Sequence, residues 1–295
     1  MKVLGGPGSL SIANKISKIT SWPLIAVNTK RFPDGEFYFK LEERIIDEEV
    51  LIVQSLYPPQ DTRLIELLIM LQTVRDFKAK AINVFIPYLA YSRQDERYLE
   101  GECLSASLMS EILEKLGANT IYTIDVHNQK VLNMYKIPAY SLSASGELAK
   151  YFLSYNLKDP LVVSPDAEEM ALKRAENAAK TIGAEYDFFE KSRDRRTGEI
   201  VTHPKNLKVK DRDAIIIDDI VSTGKTSANV VKILKDQGAR RVFIGVSHAL
   251  LLGNALEILT TAGVNEIVGT DSVINSYAKV SVAPILVKAF RKQGV

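Results

Sequence analysis

The chain has 295 residues, 46% of them hydrophobic and 25% charged, and a formal net charge of +2. That composition fits a globular chain of one large or two medium domains, and the near-neutral balance argues against nucleic acid as a partner. The single cysteine, Cys103, excludes an intrachain disulfide or a cysteine metal cluster; with no signal peptide and no apolar run of membrane-spanning length, a cytoplasmic protein without a membrane partner is expected.

Apolar runs alternate with amphipathic segments throughout, which indicates a βα architecture. Residues 1–6 read as a first strand. Arg31, Phe32, Pro33, Asp34, Gly35 and Glu36 make a turn-like stretch before a strand over 37–41. Taken alone it is either an ordinary turn or a place where Phe32 stacks a base and Asp34 or Glu36 accepts from an exocyclic amine. Strands are predicted over 51–54, 82–86 and 120–125, and helices over 62–77 and 105–116. The strand at 82–86 runs into Pro87, Tyr88, Arg93 and Gln94 at the ligand-binding end of a parallel sheet. Arg93 is a fork donor suited to phosphate, and Gln94 can both donate and accept; the alternative is a salt-bridged surface loop. Residues 98–104 beside them fit an added substrate-binding arm. His127 follows the next strand, two residues after Asp125. It is either structural or the imidazole that completes a Mg2+ shell otherwise made of oxygens.

A small-residue stretch at 140–145 marks the expected domain boundary. Beyond it, strands are predicted over 161–163, 215–217, 242–246 and 266–268, and helices over 168–182, 226–236 and 254–261. Asp166 stands at a strand end and opens the helix that holds Arg174; it either caps that helix or binds metal. Residues 188–199, with Lys191, Arg193, Arg195 and Arg196, read as a plausible mobile hairpin. Its cations are either a solvated tip or a cover for a polyphosphate.

The most informative stretch is 214–231. Ile215, Ile216 and Ile217 are a continuous β-branched run, as expected of a strand buried on both faces. Asp218 and Asp219 follow at its carboxyl end, then Ser222, Thr223, Gly224, Lys225 and Thr226, then a helix. Hydroxyls, a glycine and a helix N-terminus suit a phosphate, whereas the acids suit vicinal hydroxyls. A ribose 5-phosphate satisfies both. Aspartate at 219 excludes a Walker A loop. The stretch resembles the phosphoribosyl-diphosphate loop of the type I phosphoribosyltransferase family.

The halves repeat. Gly117, Ala118 and Asn119, leading to Asp125, parallel Gly263, Val264 and Asn265, leading to Asp271; Ala79 to Ile82 parallel Ala239 to Val242. The first half carries its extra residues between Pro87 and Ser110. Its counterpart of the acid loop falls near Gln54, Ser55, Leu56 and Tyr57, which offer neither acid nor glycine.

In order, Arg31 to Glu36, Pro87 to Asp95, Asp125 to His127, Val163 to Asp166, Lys191 to Arg193 and the acid loop together resemble the ribose-phosphate diphosphokinase family over nearly the whole chain. The resemblance implies an α/β fold of two tandem phosphoribosyltransferase-like domains, residues 1–142 and 143–295, each a mostly parallel sheet flanked by helices. It implies transfer of the β,γ-diphosphoryl group of ATP to the C1 hydroxyl of ribose 5-phosphate, with Mg2+ as cofactor and AMP as leaving product. Phe32, Asp34, Gly35 and Glu36 would bind adenine from a neighbouring subunit of a homo-oligomer, and Arg93 and Gln94 would bind ATP. His127 and Asp166 would hold Mg2+. Lys191 and Arg193 would stabilise the transition state, Arg193 also meeting the sugar phosphate. Asp218 and Asp219 would hold the ribose hydroxyls, and Ser222, Thr223, Gly224, Lys225 and Thr226 the 5-phosphate. Many bacterial members carry arginine where this chain has Ser192, and an acid where it has Ser222. A base-using phosphoribosyltransferase and a non-catalytic regulatory homologue are the competing readings.

Overall fold

The computed structural model describes residues 1–193, 200–203 and 205–292, with side chains for all of these except 191–193 and 200–203. The chain divides into two compact units, one of Met1–Leu142 with Ser281–Val295, the other of Ser143–Val280.

The first unit runs β1 (Lys2–Gly5), α1 (Leu10–Thr20), β2 (Val27–Arg31), β3 (Phe37–Leu41), β4 (Glu49–Val53), α2 (Gln60–Asp76), β5 (Ala81–Ile86), α3 (Ser105–Lys115), β6 (Thr120–Ile124) and β7 (Ala139–Leu142). Its parallel sheet has the order β1-β4-β5-β6-β7, while β2 and β3 form an antiparallel hairpin of their own. Val50, Leu51, Ile52 and Val53 are all fully buried, the burial expected of a strand covered on both faces.

The second unit runs α4 (Ser145–Phe152), β8 (Leu161–Ser164), α5 (Glu169–Ile182), β9 (Glu185–Phe188), β10 (Glu190–Arg193), β11 (Ile200–His203), β12 (Asp213–Val221), α6 (Lys225–Asp236), β13 (Arg241–Ala249), α7 (Ala255–Thr261), β14 (Glu266–Thr270) and β15 (Ala278–Val280). The parallel sheet has the order β15-β14-β13-β12-β8-β9, with β10 and β11 as a separate antiparallel pair. Ile216, Val242 and Ile244 share a core with Val230, Val231 and Leu234, which lie at helical spacing on α6.

The sequence reading assigned the last residues to the second domain, and here the structure corrects it. The helix α8 (Ala283–Lys292) packs with α1 and β7 of the first unit. Its residues Ala283, Leu286, Val287 and Phe290 are buried, and Trp22 meets Phe290 edge-on at 5.4 Å. A second correction concerns β12. It does not end at Ile217 but continues through both acids to Val221, because β13 is equally long and pairs Asp218 with Val246 and Val221 with Ala249.

The duplication is written in the hydrogen bonds. The Ile82 amide donates to Asn119 Oδ1 at 2.7 Å and the Asn119 amide to the Ile82 carbonyl at 2.8 Å. In the second unit Val242 and Asn265 exchange the same two bonds, each at 2.8 Å. Lys80 donates to Glu48 as Arg240 does to Arg212, and Asp47 to Lys78 as Asp211 does to Gly238. With Ile82 and Val242 in one position, the registers Val50↔Ile82 and Ala214↔Val242 match β4 to β12. Four residues further on, Gln54 stands where the second unit has Asp218.

Candidate active site

In the second unit the expected sugar-phosphate residues form one continuous arc at the carboxyl edge of the sheet. Successive residues of a strand face opposite sides. Asp218 is half-buried, whereas Asp219 is buried and accepts from Arg174 Nη2 of α5 at 3.1 Å. A buried carboxylate needs such a partner. The Asp219 amide in turn donates to Asp218 Oδ1 at 2.9 Å, so the two acids have different surroundings although they are adjacent.

After Ser222 and Thr223 the chain turns at Gly224, whose φ of +75° and buried position require glycine. A side chain there would meet the Ala255 carbonyl oxygen at 3.2 Å and Leu259 at the same distance. Gly224 caps α6, and its carbonyl receives the first helical bond, from Ala228 at 2.8 Å. The amides of Lys225, Thr226 and Ser227 precede that bond and have no intrahelical acceptor, which makes the turn an anion cradle. The segment after β13 seats this turn: Leu250 and Leu251 donate to the Val221 carbonyl and Leu252 to that of Ser222. Beneath it lies a buried polar cluster that the sequence reading did not single out. His248 Nδ1 and Ser272 Oγ lie 2.8 Å apart, and Thr270 and Ser272 both donate to the Ser247 carbonyl.

Asp166 lies two residues beyond β8, the strand that pairs with β12. It is half-buried, and its Oδ1 accepts the Glu168 amide at 3.1 Å, at the mouth of α5. Lys191 and Arg193 lie on β10, paired in register with Thr202 and Ile200 of β11. Their side chains, and the tip with Arg195 and Arg196 expected as a mobile hairpin, lie outside the described residues.

At the opposite end of β12, Asp213 is fully buried. Burial works against its charge. The hydrogen bonds from Arg241 and Arg240 and from the Lys158 amide outweigh that and hold the carboxyl far below the usual carboxylate range.

In the first unit, Arg93 and Gln94 follow β5, and His127 follows β6, the neighbouring strand. Arg93 and His127 are exposed; Gln94 is half-buried, and its Oε1 accepts from Cys103 at 3.1 Å. The loop is anchored by Tyr91, which donates to Asp61; that bond, then burial, pushes the phenol above its ordinary value. In the added arm, Glu102 gathers the amides of Tyr98 and Leu99 at 2.7 and 3.0 Å. Phe32, Asp34, Gly35 and Glu36 form the exposed tip of the β2–β3 hairpin, a separate sheet from the one that carries Arg93 and His127. The tip is closed by the Phe32 amide to the Glu36 carbonyl and by the Glu36 amide to Asp34 Oδ1.

Two parallel α/β units, with a strand-to-helix turn at the carboxyl edge of the sheet, define a phosphoribosyltransferase-fold protein with the unit duplicated. The comparisons with known proteins narrow the class. Residues 1–117 match the N-terminal domain of ribose phosphate pyrophosphokinase, and residues 131–260 the phosphoribosyl transferase domain. The ribose-phosphate pyrophosphokinase of Sulfurisphaera tokodaii is 40% identical over 99% of this chain and 100% of its own, and that of Sulfolobus acidocaldarius 36% over the same shares. The crystal structure of phosphoribosylpyrophosphate synthetase from Mycobacterium smegmatis superposes with a TM-score of 0.84, at 26% identity, over 99% of this chain and 98% of that one. The chain belongs to the ribose-phosphate pyrophosphokinase family.

Among the described residues, no helix is long and apolar enough to cross a membrane. No three His, Cys, Asp or Glu side chains gather there into a set able to hold a metal by themselves.

Proposed function

We propose that the chain transfers the β,γ-diphosphoryl group of ATP to the C1 hydroxyl of ribose 5-phosphate, giving 5-phosphoribosyl 1-diphosphate and AMP. The observation that supports this reading is the turn of the second unit, where Asp218 is followed by hydroxyls, Gly224 and a helix N-terminus, groups suited to a ribose diol and a 5-phosphate. Full-length kinship with ribose-phosphate pyrophosphokinases supports it over a base-using transferase.

In this reading Ser222, Thr223, Gly224, Lys225 and Thr226 hold the 5-phosphate and Asp218 accepts from the ribose diol. Asp219 acts with Arg174 to fix the strand end. The C1 oxygen forms a bond to the β-phosphorus as the bond from that phosphorus to the α,β-bridging oxygen breaks, AMP leaves with that oxygen, and the proton of the C1 hydroxyl passes to solvent. Phe32, Asp34, Gly35 and Glu36 hold the adenine; their exposed place at the hairpin tip suits a base bound from a neighbouring subunit of a homo-oligomer. Arg93 and Gln94 bind the ATP phosphates. Lys191 and Arg193 neutralise charge that develops on the transferred group. His127 and Asp166 would hold Mg2+, which when bound supplies further neutralisation of the polyphosphate.

The test is AMP release from ATP, Mg2+ and ribose 5-phosphate, with the sugar phosphate omitted as control. AMP that forms only with the sugar phosphate is expected. AMP absent from both, with ribose 5-phosphate still bound, would overturn the reading.

A further inference from the structure

The first unit buries an acid that no sugar-phosphate role explains. Glu66 lies on the inner face of α2 and is 1% exposed. Its carboxylate accepts from Gln54 Nε2 at 2.9 Å, from Arg63 Nη1 at 3.1 Å and from Arg31 Nη2. Arg31 is the last residue of β2, at the root of the exposed hairpin tip. Its other nitrogen, Nη1, donates to the Gly35 carbonyl at 2.9 Å, and its guanidinium lies over the Phe37 ring at 5.7 Å. One side chain therefore spans the tip and the body of the unit. Gln54 occupies the position that holds Asp218 in the second unit. As a neutral donor it completes the shell of Glu66, and its Oε1 accepts the Gly8 amide at 3.1 Å. An acid at that position would face Glu66 across a buried gap, a costly arrangement.

We propose that Glu66 is a positioning residue for nucleotide binding. Through Arg31 it sets the conformation of the hairpin tip, and so the places of Phe32, Asp34 and Glu36 around the adenine. The counterpart of the sugar loop in the first unit thus serves the base-binding hairpin: Gln54 and Arg63 hold the Glu66 carboxylate in place, and Glu66 fixes Arg31. This rests on the reading that the tip binds adenine.

The test compares KM for ATP with KM for ribose 5-phosphate in Glu66→Gln, Arg31→Gln, the double variant, Arg63→Gln and Phe32→Ala. Glu66→Gln keeps the shape but removes the charge that holds Arg31. The expected result is a rise in KM for ATP of about tenfold, with KM for ribose 5-phosphate within about twofold. Arg31→Gln should do the same, and the double variant should be no worse than either, because both break one contact. Arg63→Gln should raise the ATP value less than Arg31→Gln does, since Arg63 acts on the tip only through Glu66. Equal rises in both KM values, or a double variant with the product of the two single effects, would overturn the proposal. Should Glu66→Gln fail to fold, Arg31→Gln reads the same contact from a side chain 44% exposed. Phe32→Ala separates the two levels of the argument. If it leaves KM for ATP unchanged, the adenine reading fails. If it raises that value while Arg31→Gln does not, only the role of Glu66 fails.

Discussion

The strand-to-helix turns after β4 and β12 occupy one position in two copies of one fold, yet their chemistry is opposite. After β12 the chain offers a half-buried acid, hydroxyls, and a glycine that brings helix amides to the surface. After β4 the equivalent strand end is Gln54, fully buried, with its amide bonded to Gly8, Glu66 and the Arg63 carbonyl. Gly6 lies so close that a side chain there would strike Gln54 Oε1. The first turn is filled by its own unit, whereas the second leaves its acid, hydroxyls and helix amides at the sheet edge, where we propose that the sugar phosphate binds. What both copies retain is the bonding that shapes the fold, the asparagine clamps at Asn119 and Asn265 and the turns at Asp47 and Asp211. Scaffold bonds and ligand chemistry are thus separable in this architecture.

The largest expected difference between the copies lies far from either turn. Asp213 begins β12 and is fully buried under Arg240 and Arg241. The register places Glu49 at the same point of β4, where it faces Lys80 across 3.7 Å, with both side chains well exposed. Asp213→Asn removes the charge that accepts from both arginines, whose side chains stay partly solvated at 41% and 27% exposed, and should cost about 1.5–3 kcal/mol in denaturant unfolding. Glu49→Gln should cost less than about 1 kcal/mol. The Asp213 carboxyl is depressed in the folded state, so its contribution is complete above the ordinary carboxylate range and is lost as pH falls through the folded value. The gap between wild type and Asp213→Asn should therefore be constant near neutrality and narrow below about pH 4. Similar costs for Asp213 and Glu49 would break the comparison.

The next effect concerns the ligand. Asp218→Asn removes a charged acceptor from the sugar end of the turn, an interaction of about 1.5–3 kcal/mol. Ribose 5-phosphate binding should weaken by about 10–100-fold, with ATP binding nearly unchanged, as titration calorimetry would read. A loss confined to ATP would mean that this acid serves the other substrate.

Much of this was legible in the sequence because the cues were local. The run Ile215, Ile216 and Ile217 announced a buried strand, and glycine at 224 announced the turn, since both follow from backbone sterics and burial alone. The repeat was visible in Asn119 and Asn265 because the clamp needs that side chain. What escaped depends on distant partners. Asp219 looks like Asp218 until β12 is seen to continue past both, which turns it inward to Arg174, 45 residues earlier. Glu66 sits among leucines and isoleucine on α2, and the sequence carried no sign that three donors converge on it. The helix α1 has Ile12, Ala13 and Ile16 at helical spacing, but its lysines and serines masked the stripe. The helix α8 carries a local stripe of Ala283, Leu286, Val287 and Phe290, but its domain was not legible because its core partner is near the start of the chain.

The asparagine clamps should behave alike. Asn119→Ala and Asn265→Ala each remove an acceptor from a strand amide, and each should cost about 1 kcal/mol or slightly more. A twofold difference would show that the copies no longer share the bond energetically, although they share it geometrically.

The smallest effect is the finest test of the matched register. Asp47 and Asp211 donate to equivalent carbonyls, those of Lys78 and Gly238. Both acceptor residues are left-handed, with φ of +57° and +86°, but only one is glycine. A lysine in that region carries strain of about 1–2 kcal/mol, partly offset by the larger unfolded-state freedom that glycine would bring. Lys78→Gly should therefore stabilise the protein by up to about 1 kcal/mol. The reverse change, Gly238→Ala, finds room, its Cβ meeting Lys210 no closer than 3.4 Å. It should still cost about 1 kcal/mol, from strain alone. Thermal unfolding of the two variants should move in opposite directions. If Lys78→Gly destabilises, the lysine side chain contributes a contact that outweighs its backbone, and the two turns are alike in shape but not in what holds them.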